Sequence, residues 1–214
     1  MMAKLAFIIY LFFAVNSIAT AGHDTKSNLS HSGPQPFNAF NNIYLVGSTQ
    51  HIQKLHTWLS EIMTTAKGQR TLEAINQSGH ILTIKHAFSA RLSAGRTIAP
   101  MTENLINHTG ESVTIIFDAD SPEKGTHRVF NKHFQLIEFT AVQNLYHELA
   151  HAMHKMQGTW RYFASEAQAI EEENIFRTEL AKKKNQTVAL RFGKDGEKIG
   201  GLETATELQV SLNQ

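Results

Sequence analysis

The sequence predicts an α+β fold: a small mixed sheet with helices on one side, a long helix carrying two histidines, and a following helix that brings glutamates back toward it. Three observations carry this expectation. Short runs rich in alternating or β-branched apolar residues (42–47, 80–85 and 112–117) interleave with runs whose apolar residues recur every third or fourth position. The first half reads strand, helix, helix, strand, the order of a sheet with its helices packed on one face. The two strongest helical patterns stand on either side of Gly158, near enough in sequence to pack together.

Residues 1–21 read as a secretory signal peptide. Lys4 supplies the positive start, Leu5 to Val15 is an apolar run too short to span a bilayer, and Ala19-Thr20-Ala21 is a small-x-small cleavage site before Gly22. Cleavage would remove Lys4 and take the formal net charge from +1 to zero. A neutral chain has no long-range attraction for nucleic acid or an anionic bilayer, so neither is expected as a partner once the signal is gone. There is no cysteine, hence no disulfide, no thiolate chemistry and no lipid at the cleavage point. Residues 22–41, rich in Ser, Asn, Gly and Pro, read as a flexible lead-in, with His23 and His31 as solvated loop histidines. Residues 42–192 suffice for one core and are expected to form one domain. Residues 193–214, with glycines at 193, 196, 200 and 201, read as a loosely held tail.

Within the domain, Asn42 to Gly47 is the first strand. His51 to Thr65 sets Ile52, Leu55, Leu59, Ile62 and Met63 on one helical face, and Arg70 to Gln77 continues with Leu72 and Ile75 before a Ser-Gly stop. His80 to Lys85 alternates apolar and polar residues, as a half-exposed strand does. Ala87 to Thr109 has little periodicity and contains Pro100; it reads as an irregular connection with room for one short helix. Ser112 to Phe117 is the most strand-like run, and Asp118 to Pro122 breaks it. Asp118 and Asp120 read as a solvated turn rather than a calcium loop, because the 12-residue ligand spacing is missing. His127 and His133, in the basic and aromatic stretch from Gly125 to Phe139, are candidates for substrate contacts but read better as ordinary surface histidines. Past Gly158, Ser165 to Lys184 is acidic early (Glu166, Glu171, Glu172, Glu173) and basic late (Lys182, Lys183, Lys184), which suits a helix dipole. Thr187 to Phe192 reads as a last strand.

The chemistry concentrates in His147-Glu148-Leu149-Ala150-His151. Thr140 and Gln143 have capping-box spacing and start a helix there, and Val142, Leu145, Tyr146, Leu149, Met153 and Met156 give it a buried face. Positions i and i+4 share a helix face, so His147 and His151 can direct two imidazoles at one ion. Glu148 is swung about a quarter turn away and serves better as the base that deprotonates water than as a ligand. Zinc suits two neutral imidazoles, a carboxylate and one open position. The third donor falls on the next helix. Glu171 has the 20-residue gap of thermolysin-like enzymes without their Asn-Glu-x-x-Ser-Asp context; Glu166, 15 residues after His151, has small neighbours that permit close packing; Glu173, two turns on, can orient an imidazole. The three-histidine pattern is absent, since His154 and Gln157 stand where it requires Gly and His. His154, Arg161 and Tyr162 are candidates for the oxyanion donor.

From Tyr44 to about residue 192 the chain resembles the NleD-like zinc metallopeptidases, a family of bacterial type III effectors and Rhs-associated toxin domains. The residues that carry the resemblance are Gly47-Ser48, Thr65 with Gly68, Leu72 with Ile75, Ser78-Gly79-His80, His147-Glu148-Leu149-Ala150-His151-Ala152, Gly158-Thr159, Glu166-x-x-Ala169, Glu173-Asn174 and Arg177. It implies a zincin-like metallopeptidase, one zinc per chain held by His147, His151 and Glu166, Glu148 as catalytic base, and a protein substrate. One feature departs from that family: effectors injected by the type III route carry no cleavable signal peptide. The reading is therefore a secreted zinc endopeptidase that acts as effector or toxin. Its alternatives are a zinc-binding toxin or interaction module without peptidase activity, and a cell-wall peptide amidase.

Overall fold

Branched and apolar residues at alternate positions bury one face of a strand, and here they do so in parallel neighbours. In the computed structural model, which describes residues 31–37, 40–88, 95–100, 102–121 and 127–192, β1 (His31–Pro36), β2 (Ile43–Ser48), β3 (Leu82–His86), β4 (Gly95–Ile98) and β5 (Val113–Phe117) form one sheet in the order β1-β2-β3-β5-β4. β2, β3 and β5 run parallel, and β1 and β4 are antiparallel edges. Ile43, Leu45, Leu82, Ile84, Val113, Ile115 and Phe117 face the core. The signal peptide and the tail expected from the sequence lie outside the described residues.

The helices cover that face. α1 (Thr49–Met63) is capped by Ser48 and α2 (Ala66–Gln77) by Thr65. α3 (Thr102–Ile106) is the short helix for which the connection had room. A hairpin of β6 (Arg128–Phe130) and β7 (Leu136–Glu138) leads into α4 (Ala141–Met156) and then α5 (Ser165–Lys183). α4 lies under the sheet with Leu145, Tyr146, Leu149 and Ala150 fully buried. Tyr146 stacks on Phe176 of α5 with ring centroids 4.1 Å apart, and its hydroxyl lies 2.9 Å from the Thr71 hydroxyl of α2. One buried side chain thus fixes α4 against two neighbours, since a buried phenol needs a hydrogen-bond partner. No helix among the described residues is long and apolar enough to cross a membrane.

Three sequence expectations are corrected. Residues 95–98, expected to be irregular, are edge strand β4: the free edge of β5 recruits them despite weak alternation, because an open ladder rewards any extended neighbour. Residues 187–192 are not a strand. They are held by side chains, Asn174 bonding both the N–H and the C=O of Arg191 at 2.8 Å, and by the Phe192 N–H on the Phe130 carbonyl at 2.8 Å. Part of the stretch read as a lead-in belongs to the sheet and core: β1 pairs with β2, and Phe37 and Phe40 are buried, Phe37 lying edge-on to His56 at 4.8 Å.

Candidate active site

α4 begins where its capping box puts it. Thr140 Oγ1 accepts the Gln143 N–H at 3.2 Å, and Gln143 Oε1 accepts the Thr140 N–H at 2.9 Å, which satisfies two otherwise orphaned donors. It ends at Gly158, whose φ of 68° is a left-handed stop that glycine adopts without strain. The turn from 158 to 164 reverses the chain, and α5 packs on α4 through Ala169, which is fully buried. That contact brings Glu166 over the two histidines.

Three donor atoms converge there. His147 Nε2 and His151 Nε2 are 3.1 Å apart; Glu166 Oε2 lies 3.4 Å from the first and Glu166 Oε1 3.3 Å from the second. Zinc bonds of about 2.0–2.1 Å in a tetrahedron set its ligand atoms about 3.3–3.4 Å apart, so this triangle has the size of one face of a zinc site. Glu171 is solvent-exposed and Glu172 pairs with Lys67 on α2; neither joins the triangle.

Behind the imidazoles lies a buried charged layer. Glu173 is fully buried; its Oε2 is 3.0 Å from His147 Nδ1, Arg177 Nε donates to its Oε1 at 2.6 Å, and Arg191 Nη1 donates to its Oε2 at 3.0 Å. Both guanidinium carbons lie 5.3 Å from the centre of the Phe139 ring. An ionised Glu173 accepts the Nδ1–H of His147, and Arg191 Nη1, 3.2 Å from that nitrogen, gives its hydrogen to the same carboxylate; a metal ion that displaces the other imidazole proton then meets the Nε2 lone pair in the triangle. Burial pushes the Glu173 carboxyl up, but His147, Arg191 and Arg177 more than offset that and hold it at about 2. Burial and Arg191 lower His147, yet its bonds to Glu166 and Glu173 raise it to about 9. Burial dominates His151 and lowers it. Burial also opposes ionisation of Glu166, and the two imidazoles overcome it, leaving the group far below the carboxylate range. The pocket therefore selects for a positive charge between ionised carboxylates.

Glu148 is buried one position along from His147, with its carboxylate against β4. The oxyanion candidates fare differently. His154 Nδ1 lies 2.7 Å from Thr159 Oγ1 and 3.0 Å from Gln168 Nε2, which ties it into the α4–α5 turn, and burial lowers it to about 4. Tyr162 is 62% exposed and rests on Phe163. Arg161 is exposed as well. Residues that sequence reading missed are Trp160, 5.5 Å from His151 ring to ring, Lys155, whose Nζ lies 4.4 Å from the Trp160 ring, and Thr97, Phe139 and Arg191. Of the Glu173 partners only Arg177, at i+4, had a local signal.

A second group of two histidines and a carboxylate sits at the carboxyl ends of β3 and β5. His51 Nε2 is 3.2 Å and His86 Nε2 3.8 Å from the Asp120 carboxylate, with the two rings 3.6 Å apart. The Ala119 N–H donates to His86 Nδ1 at 3.1 Å, so a neutral His86 carries its proton on Nε2, the nitrogen that faces Asp120, and has no lone pair there for a metal. The expected turn at Asp118 and Asp120 is present, Asp118 Oδ1 accepting the Asp120 N–H at 2.9 Å.

The model of the peptidase M91 family, described as "Effector protein", matches residues 40–200. No curated protein matches. Among solved structures, the chain is similar to the light chain of botulinum neurotoxin type G, with 14% identity and a TM-score of 0.42 over 72% of this chain and 61% of that one. It is also similar to the light chain of serotype HA, with 12% identity and a TM-score of 0.35 over 77% of this chain and 55% of that one. The chain thus spans less than two thirds of either light chain. The match over residues 40–200 places the chain in the peptidase M91 effector family, which bears out the family resemblance read from the sequence.

Proposed function

We propose that this chain is a zinc-dependent endopeptidase, exported through a signal peptide at residues 1–21 and acting on a specific protein target as an effector or toxin. The observation that carries the reading is the triangle of His147, His151 and Glu166, with Glu148 buried beside it. Those three residues would hold one zinc ion, which when bound supplies Lewis acidity for the scissile carbonyl and an acidified water. Glu148 takes the proton from the attacking water and delivers it to the leaving amine. Glu173 keeps His147 in the tautomer whose Nε2 faces the ion, and Arg177 and Arg191 keep Glu173 ionised.

Edge strand β4 provides the place for substrate. The Phe117 carbonyl accepts the Ala87 N–H, so residue 117 bonds toward β3, and Gly95, its antiparallel partner, turns its own peptide groups toward the open edge. An extended substrate adds there as a further strand. The test is digestion of casein, host-cell lysate and peptidoglycan with the zinc-loaded protein, with and without a chelator, beside Glu148→Ala. Proteins should be cut only by the wild type without chelator, while Glu148→Ala keeps its zinc and loses at least about a thousandfold in rate. Equal cutting by both proteins overturns the mechanism. Zinc with no cutting identifies a binding module, and cleavage of peptidoglycan alone identifies an amidase.

A further inference from the structure

α4 and β4 meet at one pair of side chains. Thr97 Oγ1 lies 2.5 Å from Glu148 Oε2 and 3.0 Å from the main-chain oxygen of the same residue. A hydroxyl has one proton to give, and an ionised carboxylate at the shorter distance is the stronger acceptor, so it goes to Oε2. Thr97 is itself held: its carbonyl accepts from Nζ of Lys155, a buried lysine two turns past Glu148, at 3.1 Å. Two residues earlier, a Cβ at Gly95 would stand 2.7 Å from Glu148 Cγ and 3.0 Å from Phe117 Cδ2. The strand therefore approaches the glutamate so closely that position 95 admits no side chain, and the next residue on that face grips the carboxylate.

A free glutamate turns about three side-chain bonds, and few of its rotamers set the carboxylate beside His147 and His151. We infer that Thr97 is a positioning residue: its hydroxyl fixes the rotamer of Glu148 through Oε2, leaves Oε1 to receive the proton from water, and is itself kept in register by Lys155. The inference rests on the proposed role of Glu148. It also gives the edge strand a second task, since the element that would align substrate also sets the base.

Thr97→Val keeps the branched shape suited to a strand and removes the hydroxyl; Thr97→Ser keeps the hydroxyl. Kinetics on the best-cut member of a quenched-fluorescence peptide library should show kcat lowered roughly ten- to a hundredfold in the valine variant, the range expected for a misplaced catalytic group. KM and zinc content should be unchanged, and the serine variant should stay within about threefold of wild type. Crystal structures of the three zinc-loaded proteins give a readout independent of turnover: one Glu148 rotamer in wild type and serine variant, a displaced or divided carboxylate in the valine variant. Thr97→Ala replaces valine if that protein does not fold. A valine variant with wild-type kcat, a serine variant as slow as valine, or an unmoved Glu148 overturns the inference. Should the wild type cut no peptide, the peptidase reading fails, and the crystal structures still decide what Thr97 does.

Discussion

Two clusters in this fold carry the same inventory, two histidines and a carboxylate with ligand atoms within 4.8 Å of one another, and differ in what stands behind them. At His147 and His151 the backing is buried and anionic: Glu173 draws the His147 proton to Nδ1 and frees Nε2. At His51 and His86 the backing is a peptide N–H that occupies the His86 Nδ1 lone pair and drives the proton to Nε2. His147 is set to present its Nε2 lone pair to a cation, and His86 turns an N–H toward Asp120. Exposure differs too, since the Asp120 side chain is 54% exposed and that of Glu166 35%. Which atoms converge is therefore a weaker guide to metal binding than which imidazole nitrogen is already spoken for.

The most forceful way to break this comparison is to remove one histidine from each cluster. His147→Ala should lose zinc to below about a tenth of an equivalent by elemental analysis, as expected when a two-histidine site keeps one, and lose hydrolysis with it. His86→Ala should keep a full equivalent of zinc; if it lost metal instead, the tautomer argument would be wrong. A finer cut is Glu173→Gln, which leaves every proposed ligand in place. Zinc affinity by competition with a chromophoric chelator should fall about ten- to a hundredfold, the usual cost of losing an imidazole's outer partner.

The same carboxylate sharpens the contrast through acid stability. Its folded-state value near 2 lies below the unfolded value of about 4.3, so its contribution is fully present above that unfolded value and drains away as pH falls toward 2. Urea melts of the chelated protein should steepen in pH dependence between about 4.5 and 2, and Glu173→Gln should flatten that window. A wild type and a variant with parallel profiles would show that Glu173 is not held ionised. The smallest effect belongs to the other cluster. Asp120→Asn should cost no more than about 1 kcal/mol in the same melts, because its partners bond to a carboxylate largely in water.

How legible all this was depended on distance along the chain. The capping box at Thr140, the helical spacing around His147 and the glycine stop at 158 are local features, and the structure places them where the sequence put them. β4 was illegible because Gly95-Arg96-Thr97-Ile98 has almost no apolar alternation; the open edge of β5 makes it a strand. The segment 187–192 erred the other way, alternating like a strand but finding Asn174 instead of a ladder. Arg191, 44 residues from His147, and Thr97, 51 residues from Glu148, had no local signal at all.

By itself the sequence determined that two imidazoles and a glutamate share one helix turn, because i and i+4 geometry is a property of the helix and needs no partner. It also determined that acidic residues crowd the start of the next helix. Only the tertiary structure decided which of them faces the histidines: Ala169 and the Tyr146–Phe176 stack fix the roll of α5 on α4, turning Glu166 and Glu173 inward and Glu171 to water. Side chains that meet across such a contact are set by how whole elements pack, and spacing along one element does not encode that.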